Sequence, residues 1–516
     1  MRAIGVRTTT RAIGIMIVAS VAIAACAARM PSTRSHGAAA SAASSGLEQI
    51  ETIVVIYAEN RSFDNLYGSF PGANGTANAA NVPQVDHDGT PLPHLPAVRK
   101  KDANHRDVVD PRFPTHLPNR PFAIDQPPIN LSLAVPTGDL VHQFYENQEQ
   151  IDGGKNDRFA AVSNAGGLVM GHYDGSQLPM WKWAREYTLA DNFFQGAFGG
   201  SFLNHQWLIC ACTPTFPDAP AELHARLDAN GRLVREPDSP KSALIGPPKL
   251  GRATMTPAPE DFVVNTTSPP YQPSGIAPAL GGDRRLADPE KHPLPPQTST
   301  TIGDALTKKG VDWAWYAGAW NAAVADGMQP RDAKRHVIYN DDVGSENFQP
   351  HHQPFNYFAN FAPGTAERER HLEDYDDFIK AIDTGTLPPV TFYKPQGRLS
   401  EHAGYTDILS GDRHVAAVVA KLVASRQFAR MAIIVTYDEN GGWWDHVAPP
   451  KADRWGPGTR IPAIIISPFT KGGTIDHTLY DTTSILKLIT RRFGLEPLPG
   501  VRRGVGDLSA AFTFGS

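Results

Sequence analysis

Two runs along the chain end an apolar segment in the same polar way. Ile53 to Tyr57 leads into Glu59, Asn60 and Arg61, and Ile433 to Tyr437 leads into Asp438, Glu439 and Asn440. Taken alone, each reads as a strand that stops in a solvated loop. Together they set three carboxylates and an amide oxygen at the ends of two apolar strands. In a parallel α/β sheet ligands gather beyond the carboxyl ends of the strands, so both ends can face one point. Like charges brought together are costly unless a cation joins them. Hard oxygen donors suit a divalent metal. The Gly441-Gly442 turn and the Asp445-His446 pair that follow strengthen the reading of a metal or phosphate site.

A third run, "GGSFLNHQW" from Gly199 to Trp207, offers a nucleophile. The two glycines permit a tight path into Ser201, and a helix starting there would leave backbone N–H groups free for an anion. The esterase elbow needs Gly-x-Ser-x-Gly, and position 203 is Leu. Ser201 would therefore need a metal to lower its hydroxyl pKa. A capping Ser after a Gly turn is the alternative. Histidines complete the set: His142, His351, His352, His402 and His446. Such rings can bind phosphoryl oxygens or protonate a leaving alcohol. In an extended backbone only one of His351 and His352 points to a given side.

The elements that must position these groups are strands and helices in alternation. Strands are predicted over Ile53–Tyr57, Trp313–Tyr316, Val390–Tyr393, Ala432–Tyr437 and Ile461–Ser467. Helices are predicted over Val415–Arg426 and Ser484–Phe493. Several strands are continuous apolar runs, as in a sheet covered on both faces. The pattern predicts an α/β fold with a mostly parallel central sheet. Residues 81–138 and 213–300 are Pro-rich, lack hydrophobic period and read as loop-rich cap insertions.

With 516 residues the chain can bury a large core, and its net charge of -5 excludes a basic nucleic-acid surface. No CxxC, HExxH or P-loop sequence occurs, which removes those zinc and nucleotide readings. Residues 1–25 read as a signal peptide: Arg2, Arg7 and Arg11 precede a short apolar run. "VAIAAC" before Cys26 resembles a lipobox, so 26–46 is expected to be a lipid-anchored Ala/Ser-rich tether on the membrane. The protein would then be an exported bacterial lipoprotein of the periplasm or cell envelope. Residues 47–516 form the remaining domain. Cys210 and Cys212 are the other cysteines. A bridge across a single residue is strained, so two buried thiols are expected.

The quoted motifs, with "NDRF" at Asn156–Phe159 and "SEH" at 400–402, resemble the bacterial acid phosphatase/phospholipase C family of phosphoesterases, in the alkaline phosphatase superfamily. The resemblance spans about Glu51 to Pro499, with wording closest to the acid phosphatase branch. It implies an α/β/α sandwich and one divalent metal ion of open identity. The implied ligands are Glu59, Asn60, Asp438, Glu439 and the nucleophile Ser201. Asn204 and His142 match phosphate-binding positions, His402 matches an acid, and the match to His351 or His352 is ambiguous by one residue. The expected activity is hydrolysis of small phosphate monoesters at acidic pH through a phosphoseryl intermediate. Phospholipase C is the alternative. A non-catalytic, metal-binding surface lipoprotein is the weaker one.

Overall fold

The computed structural model describes residues 46–79, 82–342 and 344–515. The expected signal peptide and tether lie outside the described residues, apart from Gly46.

The central sheet has eight strands: β1 (Thr52–Ala58), β2 (Thr188–Ala190), β3 (Trp313–Ala317), β4 (Leu372–Asp374), β5 (Val390–Lys394), β6 (Met431–Tyr437), β7 (Ala463–Ile466) and β8 (Thr474–Asp476). Their order is β8-β2-β7-β6-β1-β5-β3-β4, and β7 runs against its two neighbours while the other pairings are parallel. This is the mixed α/β architecture with a large, mostly parallel sheet that the alternation predicts. The five predicted strands occur, shifted by a residue or two at their ends. Every residue of β1 and β6 is buried. Successive side chains point to opposite faces, so both faces of the sheet are covered. Burying each Val or Ile there contributes roughly 1.5–3 kcal/mol.

Six helices matter below: α1 (Phe144–Ile151), α2 (Pro179–Glu186), α3 (Ser201–Cys210), α4 (Tyr375–Thr384), α5 (Ile408–Ala424) and α6 (Thr482–Phe493). Helix α3 packs on α6, and α5 packs on α2 and α4. Helix α5 begins earlier than its apolar spacing predicts, because Asp407 caps it by accepting from the Ser410 N–H at 2.8 Å. Helix α6 is opened by Asp481, not by Ser484. Ser484 is the reciprocal partner in a capping box with it.

Residues 82–138 and 213–300 carry short strands, bridges and turns, with no helix longer than three residues among those described. No helix of the described residues is long and apolar enough to cross a membrane. The expected pair of free thiols is corrected: Cys210 and Cys212 form a disulfide. Ala211 between them takes a left-handed conformation at φ 47°, which turns the chain at the end of α3 and brings the two sulfurs together.

Candidate active site

Strands β1 and β6 are neighbours in register, with Ala58 opposite Tyr437. The residues that follow are therefore level: Glu59 and Asn60 beside Asp438 and Glu439. All four are buried. Asn60 turns the chain at φ 61°. Its N–H donates to Asp438 Oδ1 at 3.0 Å, and the Glu439 N–H donates to the same oxygen at 2.8 Å. Gly441 completes the fit, since a Cβ there would come within 2.4 Å of the Asn60 carbonyl oxygen.

Ser201 is the first residue of α3. Gly199, at φ 85°, lets the preceding turn press against α1: a Cβ there would lie 2.5 Å from the Phe144 backbone. Ser201 Oγ is 3.3 Å from Asn60 Oδ1 and 3.4 Å from Glu439 Oε1 and donates toward both. The nucleophile candidate thus touches both strand ends. One turn on, His205 Nδ1 donates to the Ser201 carbonyl at 2.7 Å, leaving its Nε2 buried without a hydrogen bond.

The histidines surround this point unequally. His142 Nδ1 donates to the Leu140 carbonyl at 2.5 Å, and its Nε2 lies 3.6 Å from Glu439 Oε1. Burial pulls this ring down, but the carboxylates of Glu439 and Asp139 lift it to about 9. His402 Nδ1 donates to the Ala403 carbonyl, and the ring stacks on Tyr405 at 4.3 Å between centroids. Burial lowers His402, against the pull of Asp139 and Glu59. Residues 350–352 form a turn of 3-10 helix instead of extended chain, so His351 and His352 sit side by side with ring centroids 4.4 Å apart. His352 Nε2 meets Glu59 Oε1, whereas His351 Nδ1 faces the Tyr339 hydroxyl at 3.4 Å. Burial takes both rings down, His352 to about 4. Of the rings around Ser201, His142 is the one lifted; His446 is raised too, against burial, by its contact with Asp64.

Two expectations meet a different geometry. Asn204 does not turn its amide to the site. Its Oδ1 accepts from Ala197 N–H at 2.8 Å, and its Nδ2 faces the carbonyls of Ala197, Gly199 and Gly200 at 3.2 Å, so it holds the Gly-Gly turn. Asp445 and His446 face Arg460 and Asp64. Arg460 Nε donates to Asp445 at 3.0 Å, its other end donates to Asp64 at 3.0 Å, and His446 Nδ1 is 2.7 Å from Asp64. That buried ion-pair set pins the loop after β6 to the chain after β1, and removing one partner from such a set costs roughly 3–5 kcal/mol.

The donor types at the two strand ends, carboxylates and an amide oxygen, suit a divalent cation. Asp438 Oδ2 accepts no hydrogen bond although buried. Burial pushes Asp438 up to about 6 and Glu439 well above its usual range. Glu59, Asn60, Ser201, Asp438 and Glu439 could hold such an ion. Two other groups of three bring their ligand atoms within 4.8 Å of one another: Asp139, His142 and His402, next to Glu439, and Asp64, Asp445 and His446.

Sequence reasoning missed Lys394 and Tyr405. The Tyr405 hydroxyl donates to Glu59 Oε2 at 3.1 Å, and Lys394 Nζ lies 3.2 Å from Glu59 Oε1. The signal was present for Lys394, which closes an apolar strand, as Glu59 follows one.

A model of the Phosphoesterase family matches residues 50–496. Among curated proteins, "Phospholipase C A" of Mycobacterium tuberculosis is 26% identical over 504 residues, covering 91% of this chain and 78% of its own. "Non-hemolytic phospholipase C" of Burkholderia pseudomallei is 23% identical over 514 residues, covering 91% and 60%. A solved alkaline phosphatase superfamily protein from Vibrio parahaemolyticus overlaps 66% of this chain and 65% of its own at 9% identity, with a TM-score of 0.32, too loose to build on.

Proposed function

Since this chain belongs to the phosphoesterase family, we propose that it is a metal-dependent hydrolase of phosphoric esters acting through a phosphoseryl intermediate on Ser201, with small monoesters as substrates at acidic pH. The observation that carries this reading is the Ser201 hydroxyl, at the start of α3, in contact with both Asn60 and Glu439. A divalent cation held by Glu59, Asn60, Ser201, Asp438 and Glu439 supplies, when bound, a lowered hydroxyl pKa and charge neutralisation at the phosphoryl oxygens.

The chain's own residues do the rest. Ser201 Oγ, its proton released to water, attacks phosphorus in line with the departing alcohol. The Oγ–P bond forms as the P–O bond to the alcohol breaks. His142, whose Nε2 lies 3.6 Å from Glu439, binds the phosphoryl oxygens with the N–H groups at the α3 start. His402 keeps one N–H on the Ala403 carbonyl, so Nε2 carries the proton given to the leaving oxygen. Water, giving a proton to the His402 ring, then opens the phosphoserine, releasing phosphate and restoring Ser201 and His402.

This assignment fixes the sign of the pH dependence. Burial holds His402 below its ordinary 6.5. Its proton is present in acid and lost as pH rises. Turnover is expected to fall as pH climbs toward neutrality. His402→Gln is expected to lose that limb together with about 10²–10⁴-fold of rate. A wild-type pH–rate profile that rises steadily into alkali overturns the acid role.

Monoesters are expected to outcompete phospholipid diesters. Among the described residues the insertions carry no helix longer than three residues to lie on a bilayer. His142 suits the extra charge of a monoester dianion, because charge-assisted hydrogen bonds are roughly twice as strong as neutral ones. The names of the curated relatives favour phospholipase C as the second reading. The catalytic-efficiency ratio of a chromogenic monoester to phosphatidylcholine in mixed micelles decides: above one supports the monoester reading, below one the lipase. Activity is also expected to vanish with chelator. The proposed place of action is the cell envelope, on the evidence of the Arg-bearing start and Cys26.

A further inference from the structure

Lys394 ends β5, the strand on the other side of β1 from β6. In register it comes one residue after the Tyr393–Ile56 pair, level with Tyr57. A lysine at this place is unusual, because its side chain is 1% exposed and cannot reach water. Its ammonium lies 3.2 Å from Glu59 Oε1 and 5.7 Å from the centre of the Tyr57 ring. None of its N–H groups makes a hydrogen bond. The pairing is therefore a charge contact with little directional bonding, aimed at the carboxylate that begins the ligand set. A compact ammonium on a long stem suits that use better than the forked guanidinium of Arg.

The charges explain why such a group belongs here. Glu59, Asp438 and Glu439 bring three negative charges into a buried space. A dication offsets two of them, His142 faces Glu439 Oε1 from 3.6 Å, and the Lys394 ammonium faces Glu59. Lys394 is the lysine or arginine that ion-pairs with one of these three carboxylates among the described residues.

We propose that Lys394 is a built-in counter-cation of the metal site. It holds Glu59 in its ligand position before a metal arrives, and it weakens metal affinity by repulsion while making the loaded site one charge more positive for an entering phosphate dianion. This rests on the metal reading given above. Lys394 is a positioning residue, not a catalytic one.

The test titrates purified full-length protein, stripped with chelator, with Mn²⁺, Zn²⁺ and Ca²⁺ singly by calorimetry. Thermal melts are recorded with and without each ion, and inorganic phosphate affinity is measured on the loaded protein. In Lys394→Met the metal-free protein is expected to melt about 5 °C or more below wild type, because a buried carboxylate loses its partner. Its metal is expected to bind about tenfold or more tighter, and phosphate about tenfold or more weaker, since the loaded site then carries one positive charge fewer. Lys394→Arg, which keeps the charge, is expected to bind metal within about threefold of wild type. Recovery of a folded Lys394→Met protein only when metal is added also supports the proposal. Metal binding in Lys394→Met that is unchanged or weaker overturns it, as does tenfold tighter binding in Lys394→Arg. If wild type takes up no cation at all, the metal reading itself fails, and the counter-cation falls with it.

Discussion

Replacing Ser201 with alanine is expected to abolish phosphate release and leave the fold intact. The side chain gives up two long contacts, to Asn60 and to Glu439. It caps nothing: no side-chain cap closes the α3 start, and Gly200 sets the turn. Alanine is the best helix former at such a place. The cost in stability is therefore about 1 kcal/mol or less. The rate loses its nucleophile, and loss of a nucleophile removes on the order of 10⁴–10⁶-fold of kcat. A spectrophotometric assay with a chromogenic monoester, beside a thermal melt, separates the two effects. Near-native turnover in a well-folded Ser201→Ala protein removes the covalent mechanism.

Asp438→Asn is expected to strip the protein of bound metal as well as activity. Asn keeps an oxygen for the N–H groups of Asn60 and Glu439, which now share Asp438 Oδ1. The local turn therefore survives. What goes is the charge and the unbonded Oδ2. Loss of a charged ligand is expected to weaken binding at least about a hundredfold. Stability gives an independent reading. With free metal at 100 times the wild-type dissociation constant, wild type gains about 2.7 kcal/mol and the variant almost none. Without metal, the variant is expected to be as stable as wild type or more so, because one of three crowded carboxylates is gone. Glu59→Ala is expected to lose metal too. Full metal content in both variants, by elemental analysis, breaks the convergence of the two strand ends.

The parts of this site that could be read in the sequence are those where chemistry interrupts a strong pattern. Glu59 and Asp438 each follow an unbroken apolar strand, so their charge stands out, and their strands prove to be neighbours in register. Lys394 carried the same signal at the end of β5, but a lone basic residue there, followed by Pro395 and Gln396, is not itself a metal-ligand type. Tyr405 had none, since a tyrosine in a polar loop is ordinary. Asp445 and His446 were legible as a polar pair but not as partners of Arg460, because that contact depends on chain folding across residues of no common pattern. Asn204 shows a related limit: its type fits a phosphate contact, but its place one turn after Ser201 gives it the loop carbonyls instead. In the fold, β2, β4 and β8 have three residues each, too short to display a period. The disulfide escaped because one left-handed residue, Ala211, makes the short bridge possible.

The most direct test is to stop turnover of a phosphomonoester with acid within milliseconds and map the quenched protein by peptide mass spectrometry. The account predicts one phosphoryl group on the peptide that begins α3, located on Ser201, formed with a burst of alcohol equal to the enzyme and absent in Ser201→Ala and in chelated protein. A burst of alcohol with the phosphoryl group on a histidine, or on no residue of the chain, would contradict it.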